Sequence, residues 1–288
     1  MNHISLPDGR VLEYVVEGPD TGLPLVYHHG TPGSAEPLAP LSRAAAKHGL
    51  RLIVATRAGY GPSTAHPGRT VGDVAADTAA LLDALGAGTF VTAGHSGGGP
   101  HALACAALLP ERCLGAATIA GVAPYGKPDL DFLDGMAPEN VTEFGAALTG
   151  PEELSAFLVP EAAGLARVRP EEIVAAMGEL VTDVDRAALT GENLDHLVRT
   201  FHHALAAGIA GWRDDDLAFV RDWGFSPGDI RVPVTVWQGA RDAMVPPAHG
   251  RWLGAHIPGA TLRFEPAEGH LSLWNHLDDI LAGLLPQP

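Results

Sequence analysis

The sequence predicts an α/β fold, a mostly parallel sheet with helices on both faces and an inserted helical segment. Short β-branched runs alternate with helical patterns through the first and last thirds of the chain. Those runs are apolar at nearly every position, as in strands covered on both faces. The alternation stops between 125 and 228, where the pattern is helical and no strong strand appears.

Residues 10–16 read as an entry strand and 24–27 as a second, ending at His28-His29-Gly30. Residues 35–48 are helical, and 50–55 (LRLIVA) form a buried strand. An amphipathic helix over 70–85 closes at Gly86, and a strand over 89–93 runs abruptly into a helix over 97–109. Strands follow at 113–120 and 232–239, then a helix over 247–256, a strand over 261–266 and a helix over 273–285. Within the inserted segment, 151–159, 170–181 and 194–209 are helical, the second with Pro170 at its start. The expected division is a core of 1–124 and 229–288, with 125–228 as a cap.

The chain has 288 residues, 46% hydrophobic and 18% charged, which supplies a core and excludes wholesale disorder. Lys and Arg number 18 against 34 Asp and Glu, a formal charge of −16. No basic cluster is present to displace counterions, which argues against nucleic acid or an anionic membrane surface as partner. The acidity is concentrated: 125–228 holds 19 acidic and 7 basic residues, a net −12. Asp214-Asp215-Asp216 reads as a solvated helix start, because acids suit the positive end of a helix dipole.

Cys105 and Cys113 are too few for a disulfide scaffold, and Cys105 in an apolar run reads as a small buried hydrophobe. Fourteen histidines invite a metal reading, but no H-x-x-x-H is present; neither a metal nor another cofactor is expected. The N-terminus has no basic segment leading into an apolar run, and no stretch approaches the roughly 20 apolar residues of a membrane span. A cytoplasmic protein acting on a small molecule is the expectation, with a homodimer left open.

Residues 94–98 match G-x-S-x-G in the context that motif requires, after a strand and before a helix. Turning sharply between the two strains the central residue, and small neighbours let the chain fold back. Ser96 is thereby presented at a helix N-terminus, which favours developing negative charge. A serine nucleophile needs a base, and the base an orienting carboxylate. Asp242 follows the strand 232–239 and His270 the strand 261–266, so both loops share the sheet edge of the elbow. Glu268 is closer to His270 in sequence, but two residues is a poor separation for an orienter.

The loop His29-Gly30-Thr31-Pro32-Gly33 has the same edge position. It suggests an oxyanion hole formed by the N–H groups of Thr31 and Gly97, since Pro32 has none to donate. His28 and His95 flank this site. Apolar residues Phe132, Leu133, Met136, Phe144 and Phe157 suggest a small or medium apolar acyl group. Of these, Phe132, Met136 and Phe144, with the two histidines, are the candidate substrate contacts. Trp212, Phe219, Trp223 and Phe225 read as core packing.

These motifs resemble those of the α/β-hydrolase superfamily. HHGTPGS at 28–34 is similar to its oxyanion loop and TAGHSGGG at 92–99 to its nucleophile elbow. GARDAMVP at 239–246 is similar to its acid loop and EGHLS at 268–272 to its histidine loop. Residues 56–63 resemble its Asp-Arg-Pro-Gly-Tyr-Gly turn, with Thr56 and Ala58 departing from it. The resemblance covers 6–123 and 232–285 and implies a serine hydrolase, carboxylesterase-like, with Ser96, Asp242 and His270 as triad. It also admits a lactonase, an aminopeptidase, a perhydrolase or cofactor-free oxygenase, or a non-catalytic receptor.

Overall fold

The computed structural model describes residues 1–285. Eight strands form one sheet: β1 (Asn2–Ser5), β2 (Val11–Glu17), β3 (Leu23–His28), β4 (Leu50–Thr56), β5 (Phe90–His95), β6 (Cys113–Ile119), β7 (Val234–Gly239) and β8 (Thr261–Glu265). Their order is β1-β2-β4-β3-β5-β6-β7-β8. β2 runs antiparallel to both its neighbours; the strands from β4 through β8 are parallel.

Successive residues of the central strands feed opposite cores, which is why their sequences do not alternate. Leu25 and Tyr27 pack on one face with Leu41, Ile280 and Leu281. Val26 and Ile53 pack on the other with Leu81, Leu103 and Leu253. Helices Ala39–Lys47 and Leu277–Leu284 therefore cover the first face; Val74–Ala84, Gly98–Leu108 and Pro247–His256 cover the second. A fully buried leucine or isoleucine contributes about 1.5–3 kcal/mol to such a layer.

Sheet order reverses at β3, so the loops after β3 and β5 diverge and leave a crevice at their carboxyl ends. The loops after β7 and β8 open on the same edge.

The segment between β6 and β7 is helical, with helices Pro138–Thr149, Pro151–Leu165, Asp183–Ala188, Gly191–Ala204 and Ala210–Phe219. Proline opens the first two, where its missing N–H costs nothing. The expected helix over 170–181 is instead broken into short turns, Pro170–Glu172, Ile173–Ala176 and Gly178–Leu180. Gly178 has φ +55°, a left-handed conformation that ends the helical run. The segment rests on the turn after β4: Gly61 N–H donates to Ala204 O, Gly211 N–H to Gly59 O, and Tyr60 packs among Leu154, Leu158 and Trp212.

Both cysteines are buried and unpaired, and burial pushes each thiol up to about 12. Among the described residues no helix is long and apolar enough to cross a membrane.

Candidate active site

The elbow begins with a steric demand. Ser96 has φ +55°, a conformation costly for a residue with a side chain, and it is held by Ser96 N–H to Ile119 O and Gly99 N–H to Ser96 O, both 2.8 Å. A Cβ on Gly94 would lie 2.0 Å from Gly98 O, and one on Gly98 would lie 2.0 Å from His28 O. Both neighbours are backbone, so only glycine fits. The G-x-S-x-G spacing is thus explained by how closely the chain returns on itself and by its approach to β3.

Asp242 and His270 meet across the loops after β7 and β8. Asp242 Oδ2 accepts from His270 Nδ1 at 2.8 Å, and Oδ1 accepts the N–H groups of Met244 and Val245 at 2.9 and 2.8 Å. Gln238 Nε2 adds a long fourth contact at 3.4 Å. The carboxylate is therefore fixed by its own loop and points one oxygen at the imidazole. Burial works against a charged His270, but the Asp242 charge and hydrogen bond, with Asp185 beyond, outweigh it; the ring is raised above its ordinary 6.5.

Ser96 and His270 line one cavity of about 100 Å³. Ser96, Gly97 and Thr31 also line a second, of about 410 Å³, which His270 does not reach. The hydrogen bonds of the described residues include none between the Ser96 hydroxyl and His270; such contacts commonly tighten only when substrate is bound. The backbone N–H groups of Thr31 and Gly97 have no hydrogen-bond acceptor among the described residues. They are donors available beside Ser96.

Two buried carboxylates from the helical segment brace this arrangement. Asp185 Oδ1 accepts from Leu271 N and Ser272 N at 2.7 and 3.0 Å, holding the chain just past His270. Thr182 Oγ1 fixes its other oxygen at 2.8 Å. Asp215 does the same for the loop after β3. Its Oδ2 takes the Thr31 hydroxyl at 2.8 Å, Arg57 Nη2 at 2.6 Å and Tyr60 OH at 2.8 Å, while Arg69 Nη1 pairs with Oδ1 at 2.7 Å. Arg57 also donates to His29 O and, at 2.9 Å, to Gly30 O. Burial alone would raise the Asp215 carboxyl; the Arg57 and Arg69 charges hold it well below the usual carboxylate value.

Asp214, Asp215 and Asp216 are therefore not a solvated helix start: all three are buried within Ala210–Phe219. Asp215 is neutralised by two guanidinium groups, and Asp214 is paired with Arg213 at 2.8 Å. Single-residue patterns carry no trace of partners so far away in the chain. Arg57 falls in the motif-bearing turn at 56–63, which is the one sequence signal that could have found this network.

The other candidates divide. His95 lines the smaller cavity, buried, with Nε2 on His270 O at 3.1 Å, and burial followed by the His270 charge lowers it to about 3. Phe144 and Phe157 line the larger cavity, as do Trp212 and Phe219, which are buried and also pack as core. His28, Phe132 and Met136 line neither. His28 stacks on His101 behind the elbow and is lowered to about 3 by burial and then by Arg57. Phe132 packs edge-on against Phe144 and His249, and Met136 is buried beside it.

Residues 24–151 match the family model described as the α/β hydrolase fold. A non-heme chloroperoxidase of Streptomyces lividans is 38% identical over 153 residues, 51% of this chain and 54% of that one. A bifunctional esterase/perhydrolase of Acinetobacter calcoaceticus is 29% identical over 125 residues, 43% and 45% of the two chains. The chain thus matches about half the length of these curated relatives. Among solved structures, the enol-lactonase from Burkholderia xenovorans LB400 superposes with TM-score 0.70 over 98% of this chain and 100% of that one, at 22% identity. At that identity the likeness speaks for the fold.

Proposed function

Starting from a chain that has the α/β-hydrolase fold and matches that family's model over residues 24–151, we propose that it is a serine hydrolase that cleaves an ester through Ser96, His270 and Asp242. The observation that carries this reading is the 2.8 Å His270–Asp242 bond opening on the cavity that Ser96 also lines. His270 Nε2 takes the hydroxyl proton as Ser96 Oγ attacks the carbonyl, and Asp242 fixes the tautomer and stabilises the imidazolium. The Thr31 and Gly97 N–H groups receive the oxyanion, and the Thr31 loop is pinned by Arg57 and Asp215. His270 then protonates the leaving alcohol, and water attacks the acyl-enzyme with the same base. Residues 125–228 act as a cap that supplies the far wall of both cavities; Met177 and Phe201 line each of them.

Short p-nitrophenyl esters test the proposal. Hydrolysis should show a burst of one equivalent or a steady rate, in either case lost in Ser96→Ala. Equal rates for wild type and variant would overturn it.

A second reading is favoured by the relatives named chloroperoxidase and esterase/perhydrolase. Hydrogen peroxide in place of water would take the acyl group from Ser96 and leave a peracid. Peroxide-dependent peracid formation that requires Ser96 supports it; hydrolysis alone at millimolar peroxide counts against it.

A further inference from the structure

The two cavities meet at Ser96 but differ in chemistry. His270 must hand its proton to the leaving oxygen, and it lines only the smaller one. The larger touches Ser96 and both oxyanion donors, so it is the place for the acyl group. Among the described residues its wall carries four carboxyl groups, Glu139, Glu143, Glu161 and Asp216, and no lysine, arginine or histidine.

Three of these form a graded series. Asp216 is 1% exposed, Glu143 is half-buried and Glu161 is exposed. Glu143 Oε1 accepts from Trp212 Nε1 at 2.7 Å, but among the described residues no N–H or hydroxyl group hydrogen-bonds to the buried Asp216 Oδ2. An ionised oxygen left so is expensive unless a cation or a proton serves it. Phe144, Phe157, Trp212 and Phe219 complete the wall, and aromatic faces attract cations that have shed water.

Resting on the Ser96 reading above, we infer that the larger cavity is a subsite for an acyl group bearing a positively charged amine, received between Asp216, Glu143 and the surrounding aromatic rings. Burial, joined at Asp216 by the neighbouring Glu143, raises Asp216 well above and Glu143 above their ordinary values, which favours a proton on the pair. A bound ammonium or trimethylammonium group takes that proton's place.

Two p-nitrophenyl esters of the same shape test this, 4-(trimethylammonio)butanoate and its neutral isostere 5,5-dimethylhexanoate. At low ionic strength, kcat/KM should favour the cationic ester about tenfold, and Glu143→Gln and Asp216→Asn should each bring the ratio near one. A wild-type ratio of one or less, or a ratio unchanged in a variant that still cleaves the neutral ester, overturns the subsite. Loss of Ser96 dependence for both esters overturns the hydrolase reading instead. Butyltrimethylammonium reads the subsite without any chemistry. Calorimetry should show it binding wild type about tenfold more tightly than Glu143→Gln, and equal or absent binding rejects the subsite whatever the rates show.

Discussion

Asp215→Asn removes one charge from the network that holds the loop after β3. In the native protein two guanidinium groups, 4% and 5% exposed at their side chains, face one fully buried carboxylate at 2.6 and 2.7 Å. An amide at this position takes away the buried carboxylate that Arg57 and Arg69 share. Breaking a buried pair in this way costs about 3–5 kcal/mol, against about 1 kcal/mol or less for an exposed pair. For a chain of this size that is roughly a 10 °C fall in Tm. Urea unfolding at pH 7, followed by circular dichroism, measures it directly. The pH dependence adds a signature. The folded Asp215 lies well below its unfolded value of 3.8, so its stabilisation is complete above pH 4 and lost as pH falls through the folded value. The difference between wild type and variant should therefore narrow in acid. Because Asp215 also takes the Thr31 hydroxyl, kcat for an ester should fall about tenfold or more with KM changing less. A stability loss under about 1 kcal/mol would refute the electrostatic argument, and an undiminished kcat in a destabilised variant would refute the link to the oxyanion loop.

Asp185→Ala strips the acceptor from Leu271 N and Ser272 N, and should lower kcat about 10- to 100-fold with little change in KM, since the His270 loop loses its anchor; single-turnover kinetics read this. Gly98→Ala drives a Cβ to 2.0 Å from the backbone oxygen of His28, so the protein should fold poorly or melt at least 10 °C lower by calorimetry. His270 must be neutral to act as base, and it is raised above 6.5, so kcat/KM should climb with pH through a midpoint above that value. In Asp242→Asn the raising influence is lost while burial remains; the midpoint should move down and the plateau fall by about 10⁴. His28 and His95 are held neutral at about 3, so the unfolded chain takes up protons that the folded one refuses. Stability should accordingly decline as pH drops below about 6.5, which acid titration monitored by tryptophan fluorescence would show.

What could be read from sequence was local in origin. The elbow at 94–98 is dictated by contacts within five residues and one neighbouring strand, so its glycines announce it. Asp242 and His270 each follow a recognisable strand, and their pairing needed only the inference that both loops share an edge. Helix 247–256 matches the structure end for end because its proline start and apolar face are both explicit. Strand β1 escaped because only one of its four residues is even half-buried, leaving no apolar pattern to read. The acids of the helical segment escaped for a different reason. Asp215 and Arg57 are 158 positions apart, and Asp185 and Leu271 are 86 apart. Alone in sequence, a buried paired aspartate and a solvated one are identical. The concentration of acidic residues at 125–228 was legible, but which of them line the larger cavity, Asp216 and Glu143 among them, was not.

The central claim is that Ser96 is a nucleophile activated by His270 and Asp242. Reaction with a fluorophosphonate probe, followed by intact mass and peptide mapping, tests it most directly. One adduct per chain on the peptide carrying Ser96, absent in Ser96→Ala and strongly slowed in His270→Ala, is the predicted result. An unlabelled wild-type protein, or an adduct that survives in Ser96→Ala, would contradict it.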